Sequence, residues 1–190
     1  MLIDSKSTIS EIWDTLVHEL HRGALDSKHP FRYLNLGTMG RDFPEVRTVV
    51  LRKVDQELNV YVYTDSRSDK VQAIQENCKV ALHFYHPQKR VQIRIQAETE
   101  VHCQDDLAKT SWTRVQGEAQ KAYTSILAPG REVEYPEHAW QWPENMDDGF
   151  FTVLKFIPQS MEVLQLDGLN HLRIRFSREE KNWKGTWLVP

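Results

Sequence analysis

The chain has 190 residues, of which 40% are hydrophobic and 27% charged, a composition typical of one globular domain, here expected to span residues 1–190. Its formal net charge of −3 does not favour binding to nucleic acid, and no run of about 18 apolar residues could span a membrane. The N-terminus lacks the pattern of a signal peptide, and Cys78 and Cys103 form no CxxC motif, so we expect a cytoplasmic location and two core thiols.

The first predicted element is an amphipathic helix over residues 8–22. Apolar residues such as Ile12, Leu16 and Leu20 recur on one stripe at helical spacing. Thr8 and Glu11 fit a capping box at its start, and Pro30 follows its end. Further helices are predicted from Ser68 to about Asn77 and over residues 105–115.

The rest of the chain is predicted to be mainly β. Alternating or continuous apolar runs predict strands over residues 31–38, 48–53, 59–64, 80–85, 91–97, 150–156, 160–165, 172–176 and 183–189. These runs follow one another as hairpins and do not alternate with helices, which favours a closed or split antiparallel β-barrel with peripheral helices. Residues 128–149 are rich in proline and tryptophan and are interpreted as a long ordered loop, where functional or dimer contacts often lie.

The turn from the third strand into the second helix carries a possible phosphate site. Residues 64–70 read TDSRSDK and combine hydroxyl groups, an arginine, a lysine and a helix start. A phosphate monoester with about two negative charges is bound by such groups and by the free backbone amides of a first helical turn. By itself a cluster of serine and basic residues has low specificity, and this segment alone favours a solvated, capped helix start.

Motifs on both sides of this turn carry a resemblance to a known family. In chain order they are RTVVLR at 47–52, Tyr-Thr at 63–64, SDK at 68–70, NCKVA at 77–81, Gln92, HLRIRF at 171–176, Trp183 and LVP at 188–190. Their order and spacing resemble the pyridoxamine 5'-phosphate oxidase-like family, most closely over residues 47–100 and 171–190.

The resemblance implies an FMN-dependent oxidoreductase that forms a homodimer, with the flavin in a cleft between the subunits. The cofactor contacts that it implies are Arg47, Val49, Val50, Leu51, Arg52, Tyr63, Thr64, Ser66, Arg67, Ser68, Lys70, Gln92 and Arg175. Among these, Arg67 is the expected substitute for a family arginine whose position is occupied by Asp69.

The same resemblance implies the substrate residues. His171 and Arg173 are expected over the substrate, as a possible acid or base and as a hydrogen-bond donor. Arg52 and Arg114 are expected to bind a small substrate, for which an anionic molecule is one candidate. No metal site is expected, because His83 and His86 lack a third ligand at metal-site spacing.

The chain departs from the family at the substrate helix. The family pattern Tyr-x-x-x-Arg-x-x-x-Ser becomes Thr110, Arg114 and Glu118, and a glutamate at the serine position is expected to repel a phosphate. Pyridoxamine 5'-phosphate is therefore predicted to be oxidised poorly. Two alternatives stay open: a non-catalytic flavin-binding or carrier protein, and the same barrel binding haem or a deazaflavin.

Overall fold

The computed structural model describes residues 1–180 and 182–190. Its helices are α1 (Ile9–Leu25), α2 (Asp69–Glu76) and α3 (Asp106–Trp112). Its strands are β1 (Tyr33–Met39), β2 (Pro44–Val54), β3 (Val60–Asp65), β4 (Lys79–His86), β5 (Val91–Cys103), β6 (Phe151–Gln165), β7 (Leu172–Glu179) and β8 (Asn182–Leu188). Three 3₁₀ turns lie at Pro30–Arg32, Gly117–Tyr123 and Pro136–Ala139. In the described part of the chain, no helix has both the length and the apolar character that a membrane crossing requires.

The eight strands form one antiparallel sheet in the order β3-β2-β1-β4-β5-β6-β7-β8. An additional pairing of β3 with β6 closes six of these strands into a barrel, and β7 and β8 extend the sheet beyond it. The predicted antiparallel split β-barrel with peripheral helices is confirmed.

Helix α1 packs its apolar stripe against this sheet. Leu16 and Leu20 are fully buried, and the ring of Trp13 lies 4.9 Å from that of Phe176 and 5.0 Å from that of Trp183. The predicted capping box is present, because Thr8 Oγ1 accepts from the Glu11 amide and the Glu11 carboxylate accepts from the Thr8 amide. The capping box therefore fixes the start of a helix that covers the extended end of the sheet.

Two predictions about local structure are wrong. The segments 150–156 and 160–165 form one strand, β6, which pairs with β5 along its length, and a register shift at Gln96 and Ala97 accommodates Pro158. A proline at a bulge interrupts the hydrogen bonding of a strand only locally. The stretch that contains Pro158 therefore does not end β6. Cys78 and Cys103 are exposed and are not core thiols, since they lie at strand ends outside the barrel interior.

A buried network joins α1 to the turn between β4 and β5. The Glu19 carboxylate, only 4% exposed, accepts from Lys89 Nζ at 2.8 Å and lies 3.2 Å from His29 Nε2. Burial opposes ionisation of this carboxyl, but the hydrogen bond and charge of Lys89, together with the hydrogen bond of His29, prevail and hold the pKa of Glu19 below its usual value. The network therefore fixes His29, whose side chain caps the turn Pro30–Arg32.

The same network brings Glu19, His29 and His86 together, with ligand atoms within 4.8 Å of one another. Sequence reasoning missed Glu19 as a third group. Nevertheless, Nδ1 of His29 accepts the Phe31 amide and Nδ1 of His86 accepts the Lys89 amide. When Nδ1 accepts a hydrogen bond, a neutral histidine ring carries its proton on Nε2, so neither nitrogen of His29 or His86 has a lone pair free for a metal. Lys89 already neutralises the Glu19 carboxylate. The arrangement is that of an ion-pair network and does not suit a metal site.

Candidate functional site

Arg47 and Lys70 lie near each other at the barrel rim, where β3 leads into α2. Arg47 donates to Thr38 Oγ1 at 2.6 Å, and Lys70 Nζ donates to Thr64 Oγ1 at 3.1 Å. Burial, followed by the charge of Arg47, lowers the pKa of Lys70, and Asp65 and Asp69 only partly oppose this shift. Among the described residues, no carboxylate is hydrogen-bonded to the Lys70 ammonium. The rim therefore holds a half-buried pair of cations that an anion would stabilise.

Hydroxyl and amide groups complete the surroundings of this pair. Thr64 and Ser68 are buried, with their hydroxyl oxygens 3.4 Å apart, and Ser68 precedes the first turn of α2. The first turn of a helix leaves backbone N–H groups without intrahelical partners, and its dipole favours an anion. The rim (Arg47, Thr64, Ser68 and Lys70) thus has the donor set that a phosphate monoester requires.

Two charged residues beside the rim are already engaged. Glu45 forms an ion pair with Arg47 on the same strand and would compete with an incoming phosphate. Arg67 uses its guanidinium on Asp65 at 2.7 Å and on the carbonyl oxygens of Ser125 and Ile126 at 2.6 and 3.1 Å, and it lies over the Phe150 ring at 3.7 Å. Arg67 therefore ties the turn at residues 64–70 to the segment that leads into the long loop.

The other predicted cofactor residues of β2 and β3 differ in their exposure. The Leu51 side chain is in the barrel core, whereas Val49 and Val50 are partly buried. Tyr63 is half-buried against Phe151, and the Ser66 amide donates to the Phe150 carbonyl at 2.8 Å. Leu51 can therefore reach a ligand outside the barrel only through its backbone.

The remaining predicted residues lie toward β5, β6 and β7. Arg173 donates to Glu162 at 2.9 Å, and Arg94 donates to the same carboxylate oxygen at 2.5 Å. Arg175 is exposed on β7. Gln92 Oε1 lies 3.2 Å from His83 Nε2. His171 precedes β7, and its Nδ1 accepts the Asp167 amide at 3.1 Å. The Glu162 bridge was not foreseen, because it joins residues on three different strands.

Arg52 and Arg114, predicted to bind substrate, line one cavity of about 550 Å³. Arg52 donates to the Tyr123 hydroxyl at 2.8 Å, and its guanidinium lies 5.7 Å from the centre of the Tyr63 ring. The cavity is bounded by the end of α1, the turn at Pro30–Arg32, β2, β3 and the segment after α3. It also includes Arg32, which sequence reasoning missed because no motif contains it.

The predicted substrate helix is wrong in detail. Helix α3 ends at Trp112, so Arg114 follows its last turn and Glu118 lies in the 3₁₀ turn Gly117–Tyr123. The Glu118 side chain is 84% exposed and forms an ion pair with Lys121 at 2.6 Å, and it does not line the cavity. Glu118 therefore lies outside this cavity, and the poor oxidation of pyridoxamine 5'-phosphate stays a prediction.

A family model described as "Pyridoxamine 5'-phosphate oxidase, FMN-binding domain" matches residues 10–103, a range that includes the rim. Over this range the chain is similar to the FMN-binding domain of the pyridoxamine 5'-phosphate oxidase-like family. It is 28% identical over 170 residues to a pyridoxine/pyridoxamine 5'-phosphate oxidase of Christiangramia forsetii, covering 83% of this chain and 78% of that protein. It is also 28% identical over 156 residues to an enzyme of the same description, numbered 2, from Hydrogenovibrio crunogenus, covering 77% and 73% of the two chains.

Solved structures share the fold of this chain. A pyridoxamine 5'-phosphate oxidase-related, FMN-binding protein of Nostoc punctiforme superposes with a TM-score of 0.79 at 22% identity, covering 97% of this chain and all of that one (100%). PhzG of Burkholderia lata, solved with tetrahydrophenazine-1-carboxylic acid, gives a TM-score of 0.72 at 19% identity, covering 98% and 95%. At these identities the likeness establishes the split-barrel fold.

Proposed function

We propose that the protein binds FMN at the rim and acts as an FMN-dependent oxidoreductase on a small anionic molecule. The observation that carries the proposal is the half-buried cation pair of Arg47 and Lys70, in which Lys70 has a lowered pKa and no bonded carboxylate among the described residues. The relatives named as oxidases and the FMN-binding family model support the same reading.

In this proposal the rim binds the FMN phosphate, with Arg47 and Lys70 as charged donors and Thr64 and Ser66 as hydroxyl donors. Ser68, whose hydroxyl donates to the Asp65 carbonyl at 2.7 Å, would contribute through its position at the start of α2. Val49, Val50 and the Leu51 backbone lie along the flavin, and Arg67 holds the turn in place through Asp65. The rim is a single anion site at a helix start, so FMN is favoured over FAD, whose pyrophosphate needs a second site.

The flavin would supply the redox chemistry by accepting electrons from the substrate, and the protein would bind and orient both. Arg52 and Arg114 are assigned to the anionic group of the substrate. His171 and Arg173 are assigned to the substrate side of the flavin. Arg173 would act there as a hydrogen-bond donor whose position is set by Glu162.

We also propose a homodimer in which Gln92 and Arg175 contact a flavin shared between subunits. The outer surface of β1, β2 and β4 supports this assignment, because it exposes the apolar side chains of Tyr33, Met39, Val46 and Tyr85. A groove of about 700 Å³ crosses the same surface. A monomer in light scattering at micromolar concentration that still binds FMN tightly would contradict the shared site.

The experiment that tests the function has two stages. The purified protein is first examined for the visible absorbance of an oxidised flavin or of haem, and the cofactor-free protein is titrated with FMN and FAD. The FMN-loaded protein is then mixed anaerobically with candidate donors, including pyridoxamine 5'-phosphate, and bleaching of the flavin is recorded. Tighter binding of FMN than FAD and reduction by an anionic donor are expected. A protein that does not bind FMN would refute the proposal, and one that binds FMN but is reduced by none of the donors would favour the flavin-carrier alternative.

A further inference from the structure

The cavity beside β2 and β3 is strongly cationic. Four of its lining residues are Arg32, Arg52, Lys53 and Arg114, and the described residues that line it include no aspartate or glutamate. Like charges that share a site repel one another unless an anion lies between them. Its volume of about 550 Å³ is within the range of small-molecule sites. This combination indicates a site for an anionic group.

Arg32 is the least expected of these residues. It ends the 3₁₀ turn Pro30–Arg32, whose N-cap is His29, and His29 is fixed by the buried Glu19 carboxylate. Its Nη1 donates to the Ala24 carbonyl at 2.8 Å at the end of α1. One bond from a five-donor guanidinium leaves most of the group available to a ligand.

Arg32 and Arg52 line the same cavity, and the charge of Arg52 acts on Arg32. Burial and then the charge of Arg52 lower the pKa of the Arg32 guanidinium, and Tyr33 and Tyr123 oppose the shift. Arg52 bonds to the Tyr123 hydroxyl, but its buried Nε has no partner among the described residues. A buried donor without a partner is costly and indicates a missing acceptor.

We infer that Arg32 is a further binding residue and that, with Arg52 and Arg114, it holds a compact oxyanion carrying two negative charges. A phosphate monoester and a dicarboxylate both have this chemistry. Guanidinium groups favour such ligands because their planar forks match the spacing of two oxygens. Two charges are preferred over one because four cations line the cavity without a lining carboxylate.

The assignment of this oxyanion to the substrate rests on the proposed function, whereas the binding site itself does not. Thr110 and Glu118 are not among the residues lining the cavity, although they occupy the family positions expected to reach a substrate phosphate. Arg32 therefore supplies a cationic contact in this cavity that neither of those two positions provides.

The test is calorimetric titration of the FMN-saturated protein with inorganic phosphate, malonate and acetate. Phosphate and malonate are expected to bind more tightly than acetate. Tighter binding of phosphate would indicate a phosphate ester as the ligand, and tighter binding of malonate a dicarboxylate. Arg32→Gln is expected to weaken dianion binding about ten- to hundredfold, the value of one charge-assisted contact. Arg32→Lys keeps the charge but loses the planar fork of the guanidinium. Its affinity for the dianions should therefore lie between those of the native protein and Arg32→Gln. Arg131→Gln, which removes an exposed arginine of the long loop, is the control and should bind like the native protein.

The outcomes separate the two proposals. FMN affinity should be unchanged in Arg32→Gln, because Arg32 is not part of the rim. If the protein does not bind FMN, the titrations are made in the Arg47→Ala/Lys70→Ala background, so that phosphate cannot occupy the rim. Equal dianion affinity in native protein and Arg32→Gln would overturn the inference in either background. Should Arg32→Gln fail to fold, Arg114→Gln at an exposed position gives the same test, and unchanged affinity in that variant has the same consequence.

Discussion

Replacing Lys70 by methionine separates a binding role from a structural one. The substitution keeps the length of the side chain and removes its charge. In the native protein the ammonium is half-buried, bonded to Thr64 Oγ1 at 3.1 Å and close to the charge of Arg47. If it binds phosphate, its loss should remove one charge-assisted contact, worth about 1.5–3 kcal/mol. That is about ten- to hundredfold in the dissociation constant for FMN.

The stability of the cofactor-free protein should respond differently. Loss of the neutral-acceptor hydrogen bond to Thr64 costs about 1 kcal/mol, but desolvation of the ammonium and its repulsion from Arg47 are removed at the same time. The two effects offset each other, so we expect the free energy of unfolding without FMN to change by less than about 1 kcal/mol. A lysine that mainly supports the fold would not show this combination.

FMN binding is measured by quenching of flavin fluorescence, and stability by urea unfolding of the cofactor-free protein. Lys109→Met, at an exposed lysine of α3, is the matched control and should change neither quantity. A Lys70→Met variant that binds FMN with native affinity would refute the phosphate site. A loss of more than about 2 kcal/mol in stability would show instead that Lys70 is structural.

Three further predictions concern charge. Glu45→Gln should tighten FMN binding by up to about fivefold, because it releases Arg47 from a partly exposed ion pair worth up to about 1 kcal/mol; weaker binding would contradict this competition. Since the pKa of Lys70 is lowered by burial and by Arg47, FMN affinity should fall with rising pH earlier than for an ordinary lysine, and Lys70→Arg should abolish the fall in fluorescence titrations. Burial, then Lys89 and His29, lower the pKa of His86, so the unfolded chain binds more protons and stability should decrease as pH falls through about 6.5. The lowered pKa of Glu19 should cause a second loss of stability below about pH 4.3. A free energy of unfolding in urea that is unchanged from pH 8 to 5 would contradict the loss assigned to His86.

The strands and the rim could be predicted because their signals are local. Alternation of apolar residues gives strand positions, and residues 64–70 carry a helix start, hydroxyls and cations within one turn. The capping box of Thr8 and Glu11 was readable for the same reason. Residues 150–156 and 160–165 were predicted as two strands because sequence alone does not show the bulge within β6.

The cationic cavity could be predicted only in part. Arg52 and Arg114 were found through motifs, but Arg32 joins them through packing of α1 against β2, a contact between distant parts of the chain. The orientation of Glu118 depends on where α3 ends, and helix ends are poorly fixed by local pattern. Long-range contacts of this kind also explain why Glu19 was not recognised as a partner of His29 and Lys89.

The pairing that closes the barrel also governs when the rim can form. Strand β3 pairs with β6, which lies about 90 residues later in the chain, from Val60 opposite Phe156 to Asp65 opposite Phe151. Such distant pairings carry a large loop-closure entropy and form slowly during folding. The turn at residues 64–70 begins at the end of this β3–β6 pairing, and the Ser66 amide donates to the carbonyl of Phe150, just before β6. We therefore expect cofactor capture to follow barrel closure, so that in a refolding experiment the quenching of flavin fluorescence reports the last step of chain assembly.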